Sequence, residues 1–439
     1  MKPLLSLFLL GLIAATTVRG EAPRPLTLPE AIALALQNNP DLAAAEQRVK
    51  AARAALQQTE AAFWPQLKLA GTYSASDNPV QAFMMSLSQR AFDITSANFN
   101  HPDTTDNLNG RAVASVSLYN GGTDWANRQA AKLGAEAREA ARDAARNDLA
   151  FEVTRSFHTI TKARQFVRAA EAAVASMEAN GQLVRDRHEA GQALKTDLLD
   201  AEVRLAAARE NLVQARNALA LSETIFRHTL GVGERDLVTA AAPTENTNDR
   251  LPVRPSAGND FSGRPELVAA HKAVAAAERQ LRAAQGGHLP KVSAFARYDF
   301  DSGDARNYEG SWLAGVNVEL DVFDGFLTRG KVAAARADLE IARAALRKTE
   351  LAIQLEVQQA RLNLDEAQAR LDTTGKAVAQ AEESLQLIKE RYGNGLALFT
   401  QVLDAETALT AARQRRIAAE ADARIAAAAL QKALGNPLE

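Results

Sequence analysis

The most constraining feature of this sequence is a stretch of sixteen residues that occurs twice. RHEAGQALKTDLLDAE spans 187–202 and RYGNGLALFTQVLDAE spans 391–406, with nine identical positions. A helical pattern runs up to Gly191 and Gly395, and another leads away from each. Glycine readily adopts the positive φ that ends a helix. Each copy is therefore predicted to be the tip of a long antiparallel helical hairpin.

The repeat extends far beyond these tips. Leu230-Gly231 recurs 204 residues later as Leu434-Gly435, whereas Pro40-Asp41-Leu42 recurs 225 residues later as Pro265-Glu266-Leu267. One unit of about 200 residues is thus duplicated, and its second copy lacks 21 residues (225 − 204) between 290 and 323. Two copies of this length predict pseudo-symmetry within one structure.

Four long segments have helical periodicity. Apolar or small residues follow steps of four and three from Leu149 to Val184, and the same seam returns from Ile353 to Ile388. A sustained heptad of this kind is typical of coiled coils. We predict helices at about 124–190 and 196–230 in the first repeat (21–230), and at about 327–393 and 400–434 in the second (264–439). Their returning helices are predicted to begin with Thr196 and Thr400 as N-caps.

Four shorter segments alternate with the two-residue period of strands, at about 66–76, 111–119, 291–300 and 311–323. In the last, Trp312 and Val316 face one way, and Asn317, Glu319 and Asp321 face the other. This pattern fits a membrane barrel strand between lipid and water, and it also fits a half-buried hairpin of a soluble protein. The residues from 77 to 110 are predicted to be a long polar loop.

The termini and composition narrow the class of protein. Residues 1–20 have the charge, the apolar core and the small-residue end of a secretory signal peptide. The proline-rich and glycine-rich residues 231–263 are predicted to link the repeats. The chain has no cysteine and a net charge of −2. These values exclude disulfides and thiolate sites, and they give no indication of nucleic-acid binding.

No pattern of catalytic or metal-binding residues emerges. The six histidines are scattered, and Asp299, Asp301 and Asp304 resemble a calcium loop except that Gly310 occupies its twelfth position, where glutamate is required. We therefore predict no metal, no cofactor and no enzymatic activity.

The signal peptide, the duplication, the two strand pairs, the four long helices and the twice-written tip together resemble the TolC family of outer membrane efflux proteins. The resemblance covers essentially the whole mature chain. It implies a mainly α-helical chain with a transmembrane β-barrel portion: a homotrimer with a twelve-stranded barrel in outer membrane lipid and an α-helical tunnel across the periplasm. It also implies an export duct that works with a periplasmic adaptor protein and an inner-membrane pump.

The resemblance assigns roles to the two tips. The pore entrance would include Tyr392 and Asp404, which match the family, and Gln401, which replaces an aspartate of well-studied members. Ala397 replaces an arginine that forms a latch in those members with an acidic group corresponding to Glu189. Residues expected to dock the adaptor are Gly191, Leu194, Asp197, Leu198, Gly395, Leu398 and Val402.

The alternative is a soluble periplasmic coiled-coil scaffold or adaptor. An adaptor would normally carry lipoyl-like and small β-barrel segments beside one hairpin. This sequence instead has two hairpins and two matched strand pairs, which favours the export channel.

Overall fold

The structure is a computed structural model that describes residues 24–95, 98–233, 238–241 and 261–438. The predicted signal peptide and most of the predicted linker lie outside these residues. The helices are α1 (Leu28–Asn38), α2 (Pro40–Glu60), α3 (Pro79–Ser88), α4 (Thr123–Glu189), α5 (Lys195–Leu230), α6 (Pro265–Gln285), α7 (Leu327–Gly393) and α8 (Phe399–Ala433). The strands are β1 (Arg24–Leu26), β2 (Gln66–Ser76), β3 (Thr105–Asn120), β4 (Val238–Ala240), β5 (Lys291–Ser302) and β6 (Glu309–Glu319).

Two long helical hairpins dominate the fold. Helices α4 and α7 each have 67 residues, which corresponds to about 100 Å at about 1.5 Å per residue. Helix α4 packs against α5, and α7 packs against α8. The heptad seams are buried in these pairs, including Val153 and Ile160 in α4 and Val357 and Leu364 in α7. Within the described residues, no helix is long and apolar enough to cross a membrane.

The returning helices do not begin as predicted. Helix α5 starts at Lys195, before Thr196, and the carboxylate of Asp197 accepts a hydrogen bond of 3.3 Å from the Leu194 N–H. In α8, Gln401 Oε1 accepts the N–H of Leu398 at 3.2 Å. The predicted threonine caps are therefore wrong. A side chain at the third helical position reaches back to an unpaired N–H and replaces them.

The main sheet has the order β2-β3-β5-β6, and every pair is antiparallel. The two repeats meet between β3 and β5, and among the described residues no further strand pairs with the edges β2 and β6. Two predicted boundaries are corrected. Strand β3 starts at Thr105, where it pairs with the last residue of β2, and β6 ends at Glu319, which pairs with the first residue of β5. Beyond Glu319 no neighbouring strand remains to hold the chain extended.

The two faces of the sheet differ in polarity. The polar face carries paired side chains such as Asn107, Arg111 and Asp299. The opposite face is apolar and exposed, with Leu67, Leu69, Tyr73, Tyr298, Phe300, Trp312, Val316 and Val318. Further exposed aromatic residues, Trp64, Trp125 and Phe323, lie next to the other end of the strands. An apolar band with aromatic residues at both ends is typical of a lipid-facing barrel wall.

The segment between β2 and β3 was predicted to be a loop, but it contains α3. The side chain of Asn78 caps this helix by accepting the N–H groups of Val80 and Gln81 at 3.1 and 3.3 Å. Pro79 occupies the first helical position, which tolerates the missing N–H of proline. The predicted polar loop is therefore wrong for these residues.

The two repeats use different side chains at the same structural position. Asn39 precedes Pro40 and donates to the Thr229 carbonyl at 3.0 Å. Arg264 precedes Pro265 and donates to the carbonyl of Ala433, 204 residues after Thr229, at 2.9 Å. Both bonds tie the start of a shorter helix to the end of a hairpin.

Arg264 adds ion pairs to that bond. Its guanidinium contacts Glu266 at 2.9 Å and Glu356 at 2.7 Å, and its side chain is only 4% exposed. Burial on its own would raise the pKa of the Glu266 carboxyl, but the hydrogen bonds and charge of Arg264 hold that pKa below its ordinary value. The contribution of this pair is therefore present at neutral pH, and it is lost as the pH falls through the lowered pKa.

We predict that Arg264→Ala destabilises the helical part by about 3 kcal/mol, because removing this buried guanidinium leaves the Glu266 carboxylate and the Ala433 carbonyl without their partner. Glu356 keeps its contact with Lys432 at 3.6 Å. The measurement is thermal unfolding in detergent, followed by the circular dichroism of the helices. Arg53→Ala is the matched control, since its pair with Glu139 at 2.5 Å is largely exposed and contributes at most about 1 kcal/mol. Equal shifts of the midpoint for the two variants would contradict this role of Arg264.

Candidate channel entrance at the hairpin tips

Both hairpins reverse through the same backbone motif. Gly191 and Gly395 have φ values of +71° and +74°. Backbone N–H groups following each helix return to its last carbonyls, as in the bond from Gln192 to Arg187 at 2.8 Å and that from Leu396 to Arg391 at 2.8 Å. No atom lies within 4 Å of a Cβ added at either glycine. Backbone conformation, and not lack of space, therefore requires glycine at both turns.

An apolar cluster joins the two tips from inside. Met177, Val184 and Ala201 of the first hairpin pack with Phe399, Val402 and Leu403 of the second. Leu198 packs against this cluster from its border. Val402 is only 2% exposed, so its side chain supports the second tip within the chain.

Two charged contacts also bridge the hairpins. Arg204 on α5 forms an ion pair of 2.7 Å with Asp404 on α8. The Arg187 guanidinium lies 4.6 Å from the centre of the Tyr392 ring, a distance typical of a cation–π contact. The structure thus places two predicted entrance residues, Asp404 and Tyr392, in contacts between the tips.

Sequence reasoning missed both arginines. A comparison of the repeats offers a signal for one of them, because the position 204 residues after Arg204 is Ala408. An arginine present in only one copy is not needed for the hairpin geometry that both copies share. It therefore indicates a contact outside its own hairpin. Arg187, in contrast, recurs as Arg391, and the repeat gives no signal for its contact.

The remaining predicted residues fall into two groups. Gln401 and Asp197 act locally as the helix-start acceptors described above. Leu194 and Leu398 are 70% and 69% exposed at the turns, beside the exposed Leu396. The tips therefore present apolar side chains that the chain itself does not cover.

Ion pairs fasten each hairpin behind its tip, and they repeat between the copies. Arg209 contacts Glu178 at 2.8 Å, and the corresponding Arg413 contacts Glu382 at 2.7 Å. Lys389 contacts the buried carboxylate of Glu406 at 2.5 Å. These pairs lie within one hairpin each, so they stabilise the hairpins without joining them.

The aspartates that resembled a calcium loop have other partners. Asp301 accepts hydrogen bonds from the amides of Asn107 and Asn109 at 2.7 and 2.9 Å. Asp304 accepts backbone N–H groups of the loop that follows β5. Within the part of the chain that the structure describes, no group of three or more His, Cys, Asp or Glu residues is arranged to hold a metal ion.

Known proteins share this architecture over nearly the whole chain. A sequence profile of the outer membrane efflux protein family matches residues 31–232 and 261–436. Protein CyaE of Bordetella pertussis is 27% identical over 96% of this chain and 88% of its own length. The outer membrane efflux protein BepC of Brucella suis biovar 1 is 23% identical over 97% of this chain and 89% of its own length.

A solved structure gives the same result for the fold. The crystal structure of CusC, described as forming a transmembrane channel, superposes with a TM-score of 0.84 over 94% of this chain and 93% of its own, at 22% identity. The predicted fold class, long helical hairpins with barrel strands, is thereby confirmed. The family match also decides in favour of an efflux channel over a soluble scaffold. The chain belongs to the outer membrane efflux protein family, whose members reside in the outer membrane and extend into the periplasm.

Proposed function

We propose that three copies of this chain form a passive export duct, which a periplasmic adaptor connects to an inner-membrane pump. The supporting observation is the sheet, whose apolar face is exposed and whose edges β2 and β6 are unpaired. Backbone groups at an open edge are too costly to leave unpaired in lipid. Three four-stranded sheets close such edges in one twelve-stranded barrel.

Residues 1–20 are proposed to be the signal peptide that directs secretion of this chain, and residues 231–263 are proposed to link its two repeats.

The order of the helices supports a ring of copies. Along the hairpins, α5 packs mainly on α4, α4 on α8, and α8 on α7, and only at the tips does Arg204 of α5 also reach Asp404 of α8. Nearer the sheet the order is α2, α4, α6 and α7. Helix α7 therefore lies at one side edge of the chain, and α2 and α5 lie at the other.

Both side edges carry unpartnered apolar stripes. On α7 the stripe is Leu351, Leu355 and Leu362, and on α5 the exposed apolar residues nearest to its height are Leu221 and Ile225. At about 100° per residue, the α7 stripe lies opposite the seam by which that helix packs within the chain. Two different stripes that meet in a head-to-tail manner generate a closed ring when the rotation is threefold.

We predict that the double variant Leu355→Glu/Leu362→Glu does not form trimers, because each interface would bury two unpaired carboxylates. The measurement is size-exclusion chromatography with light scattering in mild detergent. Gln354→Glu is the control, since it adds charge to an exposed position on the same helix, about a quarter turn away. A fully trimeric double variant would show that the α7 stripe does not join the copies.

The exposed tips are proposed to dock the adaptor. Leu194, Leu398 and the turns formed by Gly191 and Gly395 offer a contact surface at the end of the hairpins. Asp197, Leu198, Gln401 and Val402 hold that surface in shape through caps and internal packing.

We predict that Gly191→Val and Gly395→Val abolish export while insertion into the outer membrane persists. A β-branched residue at a positive φ costs about 1–2 kcal/mol and reshapes the turn. Export of a fluorescent pump substrate and membrane fractionation give the two readouts. Gly134→Val is the control, because Gly134 lies inside α4, far along the chain from either tip, with open space around it. Normal export by both tip variants would show that these turns are not needed for docking of the adaptor.

The entrance is proposed to be gated where the tips meet. The ion pair between Asp404 and Arg204 and the contact between Tyr392 and Arg187 hold the second tip against the first. Opening the tunnel requires the tips to separate, which breaks both contacts. Three Asp404 carboxylates then become free to interact with ions at the entrance.

We predict opposite effects for the two members of the ion pair. Arg204→Ala frees the carboxylate, so the single-channel current should become more cation-selective and more sensitive to block by a trivalent cation. Asp404→Ala should weaken both effects. The exposed pair contributes about 0.5 kcal/mol, so Arg204→Ala should raise the open probability about two-fold.

Arg209→Ala is the matched control, because Arg209 lies on the same helix in an exposed pair with Glu178 that stays within one hairpin. It should leave selectivity and block unchanged. If Arg204→Ala and Asp404→Ala both behave like this control, the entrance charge is set elsewhere.

A further inference from the structure

The segment between β2 and β3 has no role in the function described so far. It contains α3. The second repeat has only a short connection at the corresponding position, residues 303–308 between β5 and β6. A longer connection at one end of a barrel needs no function by itself. Its contacts, however, place it at a particular position in the barrel.

Gln89 and Arg90 hold this segment across the polar face of the sheet. Gln89 Nε2 donates to the Asp106 carbonyl at 2.6 Å and to Asn107 Oδ1 at 3.0 Å on β3. Arg90 Nη2 donates to the Gly310 carbonyl of β6 at 3.2 Å, and Arg90 Nη1 lies 3.4 Å from Glu309. The segment thus crosses from β3 over β5 to β6. Asn107 and Asp301, both on the polar face, are buried at this end of the sheet.

The segment also has an ordered interior. Phe83 of α3 packs against Phe92 and Phe99, with ring centres 4.8 and 5.8 Å apart. Arg90 has a φ of +52°, a conformation that residues other than glycine seldom adopt. The contacts of Arg90 with β6 hold that conformation in place. Helix α3 is therefore attached to the sheet at a defined position.

One face of α3 is apolar and uncovered. Val80, Met84 and Leu87 follow one another at the helical spacing of i, i+4 and i+7, and all three are exposed. Ala82, on the opposite face of the helix, is buried. In the proposed trimer the polar face lines the lumen, and Gln89 and Arg90 attach the end of α3 to that face. An exposed stripe on the side of α3 away from the buried Ala82 would then be turned toward the pore axis.

We propose that the three α3 helices of the trimer meet at the pore axis and form an apolar constriction at the outer mouth. The proposal rests on the proposed trimer. In that trimer, the stripe of each α3 packs against the stripes of the two other copies. The threefold axis that closes the barrel places the three stripes opposite one another. Apolar constrictions of this kind gate pores by excluding water.

The dimensions of the barrel fit this arrangement. Twelve tilted strands spaced by about 4.8 Å enclose a barrel of about 24 Å diameter between backbones. Three helices of about 10 Å diameter that pack around an axis cover a circle of about 22 Å. Side chains of the polar face narrow the lumen below the backbone diameter, so three copies of α3 fit only at the strand ends, where Gln89 and Arg90 attach the segment. At that position three copies are large enough to close the outer mouth, whereas one copy is not.

The absence of cysteine in the native chain allows a direct test. In the full-length protein, Met84→Cys and, separately, Leu87→Cys place one thiol in each chain. Under a mild oxidant, two of three thiols around one axis can pair, so about two thirds of the chains should become disulfide-linked dimers on a denaturing gel. Oxidation should also reduce export, and a reductant should restore it.

Ala75→Cys is the control, because Ala75 lies at the same end of the sheet on its exposed apolar face. Its copies lie on the outside of the barrel, four strands apart, and should remain monomeric on the gel. Size-exclusion chromatography is run on every variant.

The outcomes distinguish the two proposals. Trimers in which neither Met84→Cys nor Leu87→Cys crosslinks above the Ala75→Cys control overturn the constriction and leave the trimeric duct intact. A chain that is not trimeric overturns both. Selective crosslinking of the α3 variants supports the constriction.

Discussion

Four strands with one apolar face cannot satisfy their backbone in lipid, because β2 and β6 each present a row of unpaired N–H and C=O groups. Closure of the sheet by other copies is the one arrangement that pairs these groups without covering the apolar face. Closure of the sheet by other copies also brings the helices of neighbouring copies together. In the proposed trimer, the rotation that brings β6 of one chain to β2 of the next would also bring α7 toward α5, and both helices carry exposed apolar residues. One symmetry operation would then satisfy both hydrogen bonding in the membrane and apolar burial in the periplasm.

The duplication supplies the pseudo-symmetry, and the differences between the copies show where they have separate tasks. Each hairpin keeps the ion pair represented by Glu178 and Arg209, which fastens one helix to the other. Farther from the tip the second hairpin departs from this plan. Arg416 stands where the first copy has Leu212 in the seam, and its Nη1 donates to the Leu371 carbonyl at 2.9 Å. Gly375 provides the space, because a Cβ there would lie 2.4 Å from that nitrogen.

The same turn of α7 has a weaker intrinsic preference for the helix. Thr373, Thr374 and Gly375 replace Ala169, Ala170 and Glu171 of the first copy. Both threonine hydroxyls donate to carbonyls of the preceding turn, a contact that often bends helices. The substitutions cost together on the order of 2 kcal/mol in helix propensity. The middle of the second hairpin therefore has a lower helix propensity than that of the first, although both hairpins end in the same turn.

The elements that follow from local periodicity could be predicted from the sequence. Helical periodicity predicted every end of the four long helices within one residue, and two-residue alternation located all four strands of the main sheet. The predictions failed where a distant partner decides the outcome. Helix α3 begins with a local signal, Asn78 as the N-cap before Pro79, but its place on the sheet depends on contacts of Gln89 and Arg90 with β3 and β6. The end of β6 is likewise set by the first residue of β5 and not by its own alternating residues.

Asp404 is a second case in which a distant partner, Arg204, changes what the sequence alone predicts. In the sequence Asp404 is a lone carboxylate in the first turns of a helix, so a ring of three would carry a full negative charge. In the structure Arg204 forms an ion pair with Asp404, although the Asp404 side chain is 67% exposed. In the proposed gating, separation of the tips would remove Arg204 from Asp404. The charge and the width of the entrance would then change in the same movement, because this ion pair joins the two hairpins.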